Sequence, residues 1–225
     1  MTDYSQFGEQ PIIANFFGNA TSGRFLDIGA YDGVTNSNTR GLLELGWSGV
    51  LVEAAPAAFD ILVGNNVGLK TTLVHAAFMP KAGLVKFYDT DPRGKPGDIH
   101  LRQLCTAMQQ HNVAHYGGVE YHVSACTAED IVALSGDHFD FVSVDIEGLD
   151  LEVLPFMGTL LKNTRLLCFE DTVPCNPSGW DQAHYDKLLD AVSTHGFTKI
   201  VARTSYPCAG APDGRMPGNT LITRP

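Results

Sequence analysis

Acidic residues stand at or near the ends of four apolar runs in this chain. Asp27 lies in Arg24-Phe-Leu-Asp-Ile28, Glu53 closes Gly49-Val-Leu-Val-Glu53, Asp145 closes Phe139-Asp-Phe-Val-Ser-Val-Asp145, and Glu170-Asp171 end the run that begins at Arg165. In an open parallel sheet, ligands bind beyond the carboxyl ends of the strands, so these acids are expected to share one crevice. Carboxylates placed there can accept the hydroxyl protons of a ribose or take a proton from a weak nucleophile. Asp145 and Glu147 are two residues apart and point the same way if the strand persists that far. With Glu170 and Asp171 they would offer an all-oxygen donor set, which suits Mg²⁺ or Mn²⁺ rather than zinc. The alternative is structural: Glu147 caps the next helix and Glu170 bonds backbone amides.

The turn after the first run reads Asp27-Ile-Gly29-Ala-Tyr-Asp-Gly33. Glycines let backbone approach a ligand closely, and a helix beyond the turn would offer free N–H groups. The spacing G-x-x-x-G departs from the G-x-G-x-x-G fingerprint of dinucleotide binding, which disfavours a nicotinamide-linked oxidoreductase. Glu53, at the end of the second run, stands where a ribose-binding acid is expected. His111 and His115 are spaced i, i+4, but no Cys or carboxylate accompanies them at zinc spacing. His75 lies in an apolar run and is expected in the core; His100 lies within the stretch 89–118 and His122 just beyond it, where they could help bind an acceptor. Trp47 is expected to pack the turn before the second run.

These residues must be positioned by elements that alternate between strand and helix. Strands are expected at 24–28, 49–53, 71–77, 84–88, 119–125, 139–145, 165–170, 197–202 and 219–223. Helices are expected over 36–46, from Pro56 to about Val63, from the Thr127 cap, near 149–157 and over 182–195. Nearly continuous apolar strands between helices indicate an α/β fold with a doubly wound, mostly parallel sheet covered on both faces. The last two strands follow one another without a helix, so they are expected to form an antiparallel pair at one edge. We expect one domain over 1–225, with 1–20 as a helical N-terminal cap and 89–118 as an acceptor-binding insertion.

The chain of 225 residues carries 25 acidic and 15 basic side chains, a formal charge of −10. The basic residues are spread singly, which argues against a nucleic-acid partner. Apolar residues at 44% and charged ones at 18% exclude disorder. No run approaches the ~20 apolar residues of a membrane span. Met1-Thr2-Asp3-Tyr4 lacks the basic start of a signal peptide. Five cysteines without a Cys-x-x-Cys pair are expected to be reduced thiols in a cytoplasmic setting. Of these, Cys175 and Cys208 lie in loops.

Four blocks carry a family resemblance: Ser5-Gln-Phe-Gly-Glu9, Phe25-Leu-Asp-Ile-Gly-Ala-Tyr-Asp-Gly33, Leu45-Gly-Trp-Ser-Gly-Val-Leu-Val-Glu53 and Val144-Asp-Ile-Glu-Gly148. Together they resemble the FkbM-type methyltransferases, which are class I S-adenosylmethionine-dependent enzymes. The resemblance implies a seven-stranded Rossmann-like sheet. It implies that Gly29 and Ala30 run along the methionine part of the cofactor, with Tyr31 and Asn36 beside it and Asp27 under its amino group. Glu53 would hold the ribose, and Ala76 and Ala77 would border the adenine. Asp145 would face the transferred methyl, as base or metal ligand, with Glu147 and Glu170 completing the catalytic set. The family often shows His-Glu where this chain has Leu149-Asp150. A hydroxyl of a sugar, glycan or small natural product is the implied acceptor; N-methylation and a non-catalytic cofactor-binding module are the alternatives. Residues before Thr21, the insertion and the loop 174–180 are expected to contact the acceptor.

Overall fold

The computed structural model describes residues 2–90, 118–171, 181–207 and 215–225. Seven strands form the main sheet: β1 (Arg24–Ile28), β2 (Ser48–Glu53), β3 (Thr71–His75), β7 (Phe141–Val144), β8 (Leu166–Glu170), β9 (Lys199–Pro207) and β10 (Arg215–Thr223). Their order is β3-β2-β1-β7-β8-β10-β9, so the winding reverses between β1 and β7. β1 pairs in parallel with β2 and with β7, and Ile28 sits opposite Val52 on one side and Val144 on the other. That register brings the three strands to a common end. Gly29, Glu53 and Asp145, the next residues, therefore emerge level with one another. The antiparallel pair forms one edge, with β10 lying between β8 and β9.

Alternation along the strands feeds two cores, one on each face of the sheet. Leu26 and Ile28 pack with Ile131 of α4 (Ala128–Ser135), Leu160 of α5 (Gly158–Leu161) and Leu188 of α6 (Gln182–Ser193). Phe25 faces the other way, onto Ile13 of α1 (Glu9–Phe16), Leu42 of α2 (Arg40–Glu44) and Leu62 of α3 (Pro56–Asn65). Asp27 shares that second face. Trp47 is buried there as expected, donating from Nε1 to the Ala20 carbonyl at 2.7 Å. The expected cap at Thr127 is a capping box with Asp130.

Three expectations are corrected. The run 71–77 does not form one strand: Thr71–His75 joins the main sheet, while β4 (Ala77–Phe78) pairs with β6 (Gly118–Cys126), which pairs with β5 (Gly83–Thr90) in a second sheet. His75 is exposed rather than buried, stacked on Phe59 with ring centroids 4.4 Å apart. The helix 36–46 shrinks to α2, because side chains capture the backbone ahead of it. Asp32 accepts the N–H groups of Val34 and Thr35 at 2.8 and 2.7 Å, and Ser37 accepts those of Thr39 and Arg40. His100, His111, His115, Cys105, Cys175, Cys208, the loop 174–180 and most of the insertion lie outside the described residues. Cys126 and Cys168 are free and buried.

Candidate active site

The turn after β1 is built around Gly29, whose φ is +85°. A Cβ on this residue would stand 1.7 Å from the carbonyl oxygen of Asp145, so the turns after β1 and β7 touch backbone to backbone. Gly29 and Ala30 both donate to the Val52 carbonyl, at 2.9 and 3.0 Å, and the Asp145 N–H donates to Ile28 at 2.9 Å. Glu53 ties the neighbouring turns together: its carboxylate accepts the Tyr31 N–H at 2.8 Å and the Ala55 N–H at 2.6 Å. Left-handed backbone collects around this point, at Tyr31, Gly33, Asn36, Glu147 and Gly148.

Two clefts meet at the strand ends. One, of about 580 Å³, has an apolar wall of Ala76, Ala77, Phe78, Met79 and Phe87, with Glu53, Asp145 and Glu147 at its rim. The other, of about 540 Å³, is polar and is lined by Gln6, Asp27, Ala30, Thr35, Asn36, Ser37, Asn38 and Ser143. Gly29, Tyr31 and Asp145 line both. The structure thus brings Asp27, Gly29, Ala30, Tyr31, Asn36, Glu53, Ala76, Ala77, Asp145 and Glu147 to one place. The helix expected to present N–H groups to the ligand does not reach it, since α2 begins only at Arg40.

The N-terminal segment forms part of the polar wall through Gln6. Gln10 donates to the Ser37 carbonyl at 2.9 Å, and Ser5 bridges to Asn36. Glu9 is fully buried and pins this segment to the far edge of the sheet. It accepts hydrogen bonds from Thr204 and from Asn219, the latter at 3.0 Å.

The model of the methyltransferase FkbM domain matches residues 27–191. The chain belongs to the FkbM methyltransferase family. Among solved structures, it is similar to the methyltransferase FkbM of Methylobacillus flagellatus KT, at 14% identity and a TM-score of 0.54, over 90% of this chain and 44% of that one. It is also similar to fibrillarin of Aeropyrum pernix, solved with natively bound S-adenosyl-L-methionine, at 10% identity and a TM-score of 0.50, over 89% of this chain and 66% of that one. At these identities the likeness is one of fold, and the chain spans less than two thirds of either relative's length. No curated protein matches it.

The acids of this FkbM domain crowd one another. Burial pushes the Asp27 carboxyl up to about 7 against a hydrogen bond from Thr39 at 2.5 Å, with Asp145 and Glu53 adding to the rise. Burial and Glu9 push Asp145 up to about 6. Glu147 and Asp150 are raised well above the ordinary carboxylate range, again first by burial and then by Asp145. A folded carboxyl with a raised pKa keeps a proton that the unfolded chain releases. Its contribution to stability is therefore full below the unfolded value and is lost as pH rises through the folded one. For Asp27 and Asp145 that window runs from about 4 to about 7. Lowering the pH from about 8 to about 5 should accordingly add on the order of 2–4 kcal/mol to the stability of the free protein. Urea unfolding at both pH values would show this gain, and Asp27→Asn should remove about half of it. An undiminished gain in the variant would assign it elsewhere.

The expected metal set does not fit the geometry. Asp171 is fully buried and spent on other partners: it accepts the Gly218 N–H at 2.8 Å, the Thr220 hydroxyl at 3.0 Å and Arg203 Nε at 2.6 Å. Adjacent strand residues face opposite ways, so Glu170 and Asp171 do not converge. Among the described residues, no three His, Cys, Asp or Glu side chains are grouped to hold a metal ion. Glu170 ends β8, half-buried, and its N–H donates to Asp150 Oδ1 at 3.2 Å. Sequence reasoning missed Asp150 and the cleft residues Asn38, Ser143, Met79 and Phe87. The spacing Asp145-x-Glu-Gly-x-Asp150 was the available signal for Asp150. Phe87 depends on how a second sheet docks, for which the sequence holds no local sign.

Proposed function

We propose that this FkbM domain transfers the methyl group of S-adenosylmethionine to a hydroxyl of a sugar, glycan or small natural product. The observation that carries the proposal is the level ending of β1, β2 and β7, which sets Glu53 and Asp145 at the rim of one cleft with an apolar wall. The residues present fit the cofactor. Ala76, Ala77, Phe78, Met79 and Phe87 offer an apolar wall for the adenine. Glu53 lines the cleft where the ribose hydroxyls would lie, and Gly29 presents bare backbone to both clefts. Asp27 on the polar side suits an ammonium group.

When bound, the cofactor supplies an electrophilic methyl on a sulfonium, which needs alignment more than activation. The chain's task is then to hold the acceptor and to manage its proton. Asp145 lines both clefts and would take the proton of an acceptor hydroxyl, a role that typically contributes a ~10²–10⁴-fold effect. Glu147 borders the same cleft, and Glu170 closes the strand beside it. No Lys, Arg or His lines either cleft among the described residues, which with the charge of −10 favours a small uncharged acceptor over nucleic acid. Free buried Cys126 and Cys168 agree with a reducing, cytoplasmic setting. Among the described residues no helix is long and apolar enough to cross a membrane.

Binding tests the proposal before any acceptor is known. S-adenosylhomocysteine should stabilise the protein in thermal unfolding, and NAD should not. Glu53→Ala should weaken that binding at least about tenfold, because charged hydrogen bonds to a ribose contribute ~1.5–3 kcal/mol each. Stabilisation by NAD alone would overturn the proposal. Turnover against a panel of hydroxyl acceptors then separates an enzyme from a binding module.

A further inference from the structure

We propose that β3 is the interface of a symmetric dimer, in which two copies of this chain join their main sheets edge to edge about a twofold axis at Leu73. The dimer does not depend on the function proposed above.

The two sheets have four edges among the described residues, and the edges are not alike. An open edge offers unpaired N–H and C=O groups, and proteins blunt it with charged side chains, irregular pairing or brevity. β9, at the far edge of the main sheet, carries Lys199 and Arg203, and register shifts interrupt its pairing with β10. In the second sheet β5 carries Lys86, and β4 is two residues long. β3 reads Thr71-Thr-Leu-Val-His75, pairs with β2 in unbroken register, and contains no Lys, Arg, Asp, Glu or Pro. The Lys70 carbonyl accepts from Gly49, and the Ala76 N–H donates to Glu53. In a parallel ladder the intervening residues alternate in direction. Thr71, Leu73 and His75 therefore turn their backbone groups outward, where no described residue meets them.

A second copy satisfies these groups in one register. Antiparallel pairing centred on Leu73 sets Leu73 against the partner's Leu73 and Thr71 against the partner's His75, each pair exchanging both backbone bonds. The axis stands normal to the sheet, so both copies of α3 stay on one side, the side on which His75 stacks on Phe59. Around that seam Ile61, Val63, Val67 and Leu69 are exposed, Val67 by 80%. Across 57–80 the charged residues are Asp60 and Lys70, which cancel, whereas the whole chain carries −10. Two such chains repel one another elsewhere and meet here without repulsion. A neutral edge in a register that fits itself selects a second copy over a charged partner. Continued one step, the register sets the partner's Lys70 across from Ala76, which lines the apolar cleft.

Sedimentation equilibrium of the full chain over about 1–100 µM tests this, because dimer and monomer exchange by mass action. The mass should approach twice the 24.3 kDa of one chain. Thr72 is exposed, and Thr72→Lys sets like charges diagonally across the axis. That variant should weaken the dimer about tenfold or more and leave the unfolding midpoint little changed. Val67→Lys should act in the same direction and serves if the first variant folds poorly. Leu84→Lys, at an exposed position on β5, should leave the dimer intact. A mass of 24.3 kDa throughout, or masses growing beyond the dimer, would overturn the inference. A dimer that neither Thr72→Lys nor Val67→Lys weakens, or that Leu84→Lys dissociates, would overturn it as well.

Discussion

Gly29→Ala should abolish measurable binding of S-adenosylhomocysteine and destabilise the protein by roughly 3 kcal/mol or more. Two costs combine at this position. A side chain at φ +85° is disfavoured by about 1–2 kcal/mol, and the added Cβ would stand 1.7 Å from the Asp145 carbonyl oxygen and 2.7 Å from its carbon. Both contacts are to backbone, so no rotamer change relieves them. The chain must instead push back the turn that carries Asp145 and Glu147, and stretch the bond from Asp145 N–H to Ile28. Gly64→Ala is the control. That glycine lies in α3 with nothing within 4 Å of its Cβ, so the change should be neutral or stabilising by up to about 1 kcal/mol. Urea unfolding and calorimetry on both variants decide the matter. Similar behaviour of the two would refute the crowding of the two turns.

Asp145→Asn should lower the methyl-transfer rate about 10²–10⁴-fold with an acceptor found by screening, yet make the free protein more stable. The two effects have one source. The carboxylate must be near its partners to take a proton, and the same nearness to Glu9, Glu147 and Asp150 raises the energy of the folded state. The amide keeps the shape and removes the charge. Steady-state rates and unfolding midpoints, measured on one preparation, test both halves. Unimpaired turnover would dismiss Asp145 as the base.

Much of the fold was legible because it depends on local pattern. β1 has the bounds expected from its run of apolar residues, Pro56 opens α3, and the Thr127 cap is where its spacing places it. The level strand ends followed from the same runs, and with them the acids Glu53 and Asp145. What could not be read is what depends on side chains competing for backbone or on direction at a strand end. Asp32 and Ser37 take N–H groups that a longer α2 would have used. Asp171 looked like a partner for Glu170 by adjacency, but its side chain faces Arg203 on β9. The apolar slot needed Phe87, which the antiparallel pairing of β5 with β6 presents from a separate sheet.

Glu9 gives the assembly a temporal order. Its hydrogen bond from Asn219 joins residues 210 positions apart, and its bond from Thr204 spans 195. Contacts of such separation form late, because the loop they close is costly until the intervening sheet exists. During synthesis the strands that carry Glu53 and Asp145 emerge long before β9 and β10. α1 must therefore wait for the later β9 and β10 before Glu9 anchors the segment that carries Gln6. A nascent chain can shape its adenine slot early, but its polar wall closes only once β9 and β10 have emerged.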